Sequence, residues 1–144
     1  MTQEQKDLLF KDLCGRLPHG VKISVNDKVE TLQGINILDN VVEYDSCLSS
    51  DIEEVKPYLF PMSSMTEEQK EDLYIVTNGK FNAGYEYIDN CKPRNWSEWG
   101  TTEYNWIRHY DIDLLYTWLN ENHFDYRGLI PMGLAIDATG LNIY

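Results

Sequence analysis

His123, Asp125, Tyr126 and Arg127 fall within the nine-residue stretch "NHFDYRGLI" (122–130), and imidazole, carboxylate, phenol and guanidinium are groups that move protons or hold anions. The spacing argues against a catalytic triad. A histidine two residues from an aspartate supplies no nucleophile, and the chain has neither a G-x-S-x-G elbow nor a cysteine in a reactive context. A polar corner accounts for the same residues. His123 follows a helix end, Asp125 caps the next turn, Gly128 supplies a positive φ, and Phe124, Tyr126 and Leu129 anchor the chain to the core. Arg127 stands out as a cation beside an aromatic region.

A second constellation is His109, Asp111 and Asp113, an H-x-D-x-D pattern. In an extended chain all three side chains point one way, and imidazole with carboxylates is a donor set for a divalent cation. Helix capping explains the aspartates without a metal, and no second cluster has ligand spacing. A metal-dependent hydrolase is therefore an outside reading; the expectation is no metal, no cofactor and no catalysis.

The third signal is the distribution of aromatic residues. Twelve of the 18 lie between Phe81 and Tyr126, including all four tryptophans, together with three of the four arginines, Arg94, Arg108 and Arg127. Read as a strand, "EYNWIRHY" (103–110) puts Tyr104, Trp106, Arg108 and Tyr110 on one face. Aromatic planes with an interleaved guanidinium stack a base and hold a phosphate. Trp96 and Trp99 sit in the long loop "DNCKPRNWSEWGTT", and long loops carry function more often than short ones. The candidate ligand-binding set is thus Arg94, Trp96, Trp99, Tyr104, Trp106, Arg108, Tyr110 and Arg127. The competing explanation is a sheet core filled by aromatics, with Arg108 paired to an acid.

The elements that must position these groups are legible in outline. Thr2 with Gln5 forms a capping-box pattern that opens a helix, with Leu8, Leu9, Phe10 and Leu13 on its apolar side and Gly15 at its end. "VKISV" (21–25), "VETLQGINIL" (29–38) and "VVEY" (41–44), separated by turns at "NDK" and "DN", read as an antiparallel meander. The apolar phase changes between Leu32 and Ile35 across Gly34, which predicts a bulge or a sharp bend. "IEEVKPYLFP" (52–61) reads as an edge strand or an extended segment, because Pro57 lacks a ladder donor. "MTEEQKEDL" nearly repeats the N-terminal "MTQEQKDLL", and the match stops on both sides, so these are two similar helix starts. "DIDLLYTWLNEN" is a helix capped by Asp111 or Asp113, with Ile112, Leu115, Tyr116 and Leu119 toward the core. The tail reads as short turns and a strand. The expected fold is α+β: one domain over 1–144, with a small curved antiparallel sheet, a meander or a barrel-like one, and two to three helices.

Net charge is −12, from 24 acidic and 12 basic residues. Such a surface repels nucleic-acid backbones, so direct DNA or RNA binding is not expected. A pocket with local cations still takes a small anion, since distant charges are screened within about 8 Å. Ten of the acids lie between Asp39 and Asp72, against Lys56 and Lys70 alone. That segment is a solvated face, or a surface for a basic protein, or a mimic of a phosphate backbone. Cys14, Cys47 and Cys91 form no C-x-x-C pattern and read as reduced thiols. No apolar run spans a bilayer and the start is not a signal peptide, so a soluble, cytoplasmic protein with no membrane contact is expected.

"KDLCGRLPHGV", "IEEVKPYLFPMSSMTEEQKE" and "WLNENHFDYRGLIPMGLAIDA" resemble blocks of a family of small uncharacterised accessory proteins encoded by phages and prophages of gut anaerobes. The blocks cover a little over a third of the chain. The resemblance implies a context, an accessory phage protein made inside a bacterial host, and transfers no activity, cofactor or site residue; small non-enzymatic phage accessory proteins often antagonise host defence, which extends that context by association. The leading expectation is a counter-defence protein that sequesters a small nucleotide-type immune signal without catalysis, as a homo-oligomer with its pocket between subunits. The alternative is an acidic protein that inhibits a basic host defence or nucleic-acid-binding protein by direct binding or mimicry.

Overall fold

A computed structural model describes residues 1–45, 48–77 and 109–144. The chain divides into two compact units. Unit 1 is Met1–Phe60 with Arg127–Tyr144, and unit 2 is Pro61–Tyr126. The fold is α+β.

Unit 1 begins with α1 (Gln3–Arg16). Thr2 Oγ1 accepts from Gln5 N at 3.2 Å and Gln5 Oε1 accepts from Thr2 N at 2.9 Å, so the expected capping box forms. The helix does not stop at Gly15. It runs to Arg16, continues as a 3-10 turn over Leu17–His19, and ends at Gly20, whose φ of 66° lies in the left-handed region that glycine favours. Asp12, one turn earlier, grips Arg16 and so carries the helix past the glycine.

Four antiparallel strands follow, β1 (Lys22–Val25), β2 (Lys28–Asn36), β3 (Val41–Tyr44) and β4 (Leu48–Asp51), then β5 (Val55–Pro61). Their order in the sheet is β4-β3-β2-β1-β5. The β1–β2 turn is two residues, Asn26 and Asp27, both at positive φ, the conformation that a tight hairpin requires. The β2–β3 register shifts between Leu32 and Gly34, so the expected bulge is present. β2 ends at Asn36, not at Leu38 as the alternation suggests, because the Asn36 side chain accepts from the amides of Leu38 and Asp39 and turns the chain.

β5 is not an edge strand. It pairs antiparallel with β1, and in parallel with the short β7 (Ile136–Asp137). The β7 register begins at Tyr58, just past Pro57, so the residue without a donor precedes that ladder. The sheet does not close into a barrel. Its core is Leu9, Phe10 and Leu13 of α1 against Val21, Ile23, Val25, Leu32, Val42, Ile52, Val55 and Leu59, sealed by Leu129, Leu134 and Ala135 from the distal segment.

In unit 2, α2 (Glu67–Val76) opens with the same capping box, Thr66 with Gln69. α3 (His109–Glu121) buries Leu115, Trp118 and Leu119. Its start corrects only the end of the strand expected over 103–110: His109 and Tyr110 are helical, and the rest of that stretch lies outside the described residues. His109, Asp111 and Asp113 all lie within α3, so the extended chain that the H-x-D-x-D reading assumes is not formed. The short β6 (Phe124–Asp125) follows. Among the described residues no helix is long and apolar enough to cross a membrane.

Candidate functional site

Of the aromatic–arginine set, Arg94, Trp96, Trp99, Tyr104, Trp106 and Arg108 lie outside the described residues. Tyr110 is placed only as a position in the first turn of α3. Arg127 belongs to unit 1, where its Nε lies 3.2 Å from Oδ1 of Asp12. The Asp12 carboxylate is fully buried, and it also receives a forked pair of hydrogen bonds from Arg16, Nε to Oδ2 at 2.7 Å and Nη2 to Oδ1 at 3.0 Å. Two guanidinium groups therefore share one carboxylate. Arg16 is buried completely and Arg127 keeps 22% of its side-chain surface. An anion at Arg127 meets a guanidinium already engaged by Asp12, in an assembly whose formal charge is +1. Sequence reading missed Asp12 and Arg16; the signal was their i, i+4 spacing, with Asp12 between Leu9 and Leu13 on the apolar side.

The rest of "NHFDYRGLI" is a corner. His123 adopts φ 60° and Gly128 φ 74°, the positive angle expected of the glycine. Phe124 is buried and stacks on Trp118 of α3 with ring centroids 5.7 Å apart. Tyr126 donates its hydroxyl proton to Asn120 Oδ1 at 2.9 Å and packs on Tyr116. Leu129 is fully buried. These residues hold the end of α3 and the start of the distal segment, and among the described residues no three His, Cys, Asp or Glu side chains are placed to hold a metal.

Several acids between Asp39 and Asp72 have structural tasks. Asp39 accepts from Asn36 Nδ2 at 2.6 Å, and Asp51 caps a 3-10 turn through Glu53 N. Glu53 lies 2.6 Å from Lys6 Nζ, a hydrogen bond that raises the lysine above its ordinary pKa. Glu67 is held by Lys70 at 2.7 Å. Asp72 is held by Trp118, whereas Glu68 and Glu71 have no such partner among the described residues. With Gln69, Ile75, Trp118 and Asn122 these three acids line a shallow cleft of about 350 Å³ on unit 2. Trp118 Nε1 donates to Asp72 Oδ2 at 2.7 Å, so the indole edge forms the cleft floor, and Asn122 Nδ2 donates to Trp118 O. Ile75 is 64% exposed beside it. Three carboxylates, an aliphatic side chain and an indole suit a cation on an aliphatic stem, the form of a lysine or arginine side chain. Sequence reading marked the acidic segment from Asp39 to Asp72 and missed Ile75, Trp118 and Asn122 as its neighbours, whose approach depends on how α2 packs on α3.

A second cleft, of about 390 Å³ on unit 1, is lined by Phe60, Ala138, Gly140, Asn142, Ile143 and Tyr144. No charged side chain lines it. The Tyr144 phenol is spoken for. It donates to Tyr58 O at 2.7 Å and accepts from Lys22 N at 3.1 Å, bridging β5 and β1 one step beyond their last paired residues, Ile23 and Pro57. Burial of this hydroxyl pushes its pKa up to about 12, against smaller downward effects of the Lys22 amide and the Arg16 charge. The residue as a whole is 43% exposed; the hydroxyl between two backbone groups is what governs its titration.

No family model matches the chain, and comparison with curated proteins and with solved structures returned no match.

Proposed function

We propose that this protein is a non-catalytic binding protein that captures a basic protein partner through the acidic cleft of unit 2. The observation that carries the reading is the juxtaposition of Glu68, Glu71 and Asp72 with Ile75 and the Trp118 edge. Glu68 and Glu71 carry no ion pair among the described residues, so their charge is available to a partner. The net charge of −12 draws cationic partners from a distance and repels nucleic acid. The resemblance to phage accessory proteins points to a host defence or replication protein as that partner.

The test is capture of host proteins on the immobilised chain across a salt series, with Glu68→Lys/Glu71→Lys alongside. The expected result is a basic protein retained at low salt, released as salt rises, and lost with the double reversal. A captured set indifferent to both changes rejects the reading.

The aromatic–arginine pattern supports a second reading, sequestration of a nucleotide signal by Arg94, Trp96, Trp99, Tyr104, Trp106, Arg108, Tyr110 and Arg127, in a homo-oligomer. It predicts thermal stabilisation by one compound of a panel of linear and cyclic nucleotides, abolished by Trp106→Ala or Arg108→Ala in a folded protein. No stabilisation at any concentration of the panel rejects it.

A further inference from the structure

We infer that the β2–β3 turn is a preformed apolar contact point for a basic amphipathic segment of a partner protein. Leu38 is 93% exposed and its neighbour Ile37 is 58% exposed. Turns take Gly, Asn, Asp or Ser for conformational reasons, and nothing in the geometry of this one asks for two large aliphatic side chains. The turn that presents them is tightly built. Asn36 Oδ1 accepts from Leu38 N at 3.1 Å and Asp39 N at 3.2 Å, and Asn36 Nδ2 donates to Asp39 Oδ2 at 2.6 Å. Asn40 closes it at φ 57°, donating to Ile37 O and accepting from Ile52 N at 2.9 Å. A partner that covers Ile37 and Leu38 therefore has little backbone to order, and the apolar burial appears largely as affinity.

The surrounding charge selects the occupant. Residues 29–55 contain seven acids and no lysine or arginine. Asp39 is in the turn, and Asp51 pairs with Val41 at the first step of the adjoining ladder. Glu43 and Glu54 are exposed, while the charge of Glu53 is met by Lys6. A second copy of this chain brings the same carboxylates, and an anionic membrane brings phosphates, so both are repelled. An apolar strip flanked by lysine or arginine satisfies both parts of the surface. The inference rests on the reading of this protein as a binder of basic partners, and it concerns a different surface, in the other unit.

The experiment uses the isotope-labelled full chain and follows backbone amide shifts on addition of a short amphipathic Lys/Leu peptide. Controls are a Lys/Ser peptide of equal charge and vesicles containing phosphatidylserine. The expected result is movement of the Ile37, Leu38, Asp39 and Asn40 amides with the Lys/Leu peptide. Binding at this turn is expected to fall at least about tenfold with the Lys/Ser peptide, and likewise with Leu38→Ser, a change at a side chain the fold does not use. Shifts confined to Glu68, Glu71 and Ile75 overturn this inference and leave the cleft standing; shifts confined to the turn do the reverse. Equal binding by the Lys/Ser peptide, a stronger response to vesicles, or a self-association that Leu38→Ser dissolves each overturns it.

Discussion

α1 and α2 begin with nearly the same words, "MTQEQKDLL" and "MTEEQKEDL", and their first turns are built alike. Each has a threonine at φ −76° and ψ 161° whose hydroxyl meets the amide three residues on, and a glutamine that reaches back. The leucine seven residues after the threonine is buried in both, Leu9 and Leu73. Beyond it the two helices part. Phe10 is buried and its counterpart Tyr74 is 44% exposed; Asp12 is buried and its counterpart Val76 is 36% exposed. The charged residue is inside and the apolar one outside, the reverse of what side-chain chemistry prefers. The capping box specifies where a helix starts and says nothing about which faces it buries. In α1 the inversion is explained by Arg16 and Arg127, which compensate the desolvation of Asp12. In α2 the exposed apolar residues lie next to the carboxylates that form the proposed contact surface.

The comparison makes its largest prediction at Asp12. Asp12→Ala leaves the buried Arg16 without its counter-charge, and the expected loss is about 3–5 kcal/mol in urea unfolding. Asp72→Ala removes one hydrogen bond to Trp118 at a partly exposed site, with an expected loss of about 1 kcal/mol. Equal losses would mean that the burial of Asp12 has no energetic consequence, and the contrast would collapse.

Next in size is the phenol that bridges β1 and β5. Tyr144→Phe leaves the Lys22 amide and Tyr58 carbonyl unbridged, at a cost of about 1 kcal/mol near neutral pH. Its pH dependence has a definite sign. The fold holds the neutral phenol, so the folded pKa of about 12 exceeds the ordinary 10.0. The contribution is complete below pH 10 and is lost as pH rises through 12. Unfolding measured across that window should show a steeper decline for the natural protein than for the variant; identical slopes would remove Tyr144 from the account.

Thr2→Ala and Thr66→Ala sharpen the likeness of the helices. Each deletes the same cap, and each should cost about 1 kcal/mol where its helix unfolds with the measured transition. A loss for Thr2→Ala alone, read by circular dichroism during denaturation, would show that α2 melts outside the main transition. The smallest effect on folding is expected at Ile75→Ser, within about 0.5 kcal/mol, because the side chain is already in water. Its effect should appear instead as weaker capture of a basic partner.

Features written in short stretches of chain were legible from residues alone. Thr2/Gln5 announced its cap, the paired "MTEEQK" announced a second helix, the phase change at Gly34 announced a bulge, and Gly128 its positive φ. Features decided by distant partners were not. Pro57 argued for an edge because the sequence does not show that β7 arrives only after Tyr58. Alternation argued for a strand at His109 and Tyr110, where the period of the following helix prevails. The burial of Asp12 and Arg16 was not legible because each needs the other, and Arg127, more than a hundred residues away, to be buried. Ile37 and Leu38 looked like the end of a strand because the hydrogen bonds of Asn36 that stop it are made by a side chain. The candidate site was legible only as part of the acidic segment from Asp39 to Asp72; Trp118 and Asn122, which complete its cleft, lie far along the chain.

Unit 1 is assembled from two separated pieces of chain, with all of unit 2 inserted between them. Leu129, Leu134 and Ala135 seal a core whose other members are in the first sixty residues. In polymer terms the insert is a loop whose ends unit 1 must bring together. The entropy of closure grows only with the logarithm of loop length, about 0.6 kcal/mol for each doubling. The stability of unit 1 is therefore nearly indifferent to how long the insert is or how much of it is ordered. It depends instead on Arg127–Tyr144 being present, so the core of unit 1 is complete only once the segment beyond unit 2 has been made, whatever its helix and hairpins have formed before.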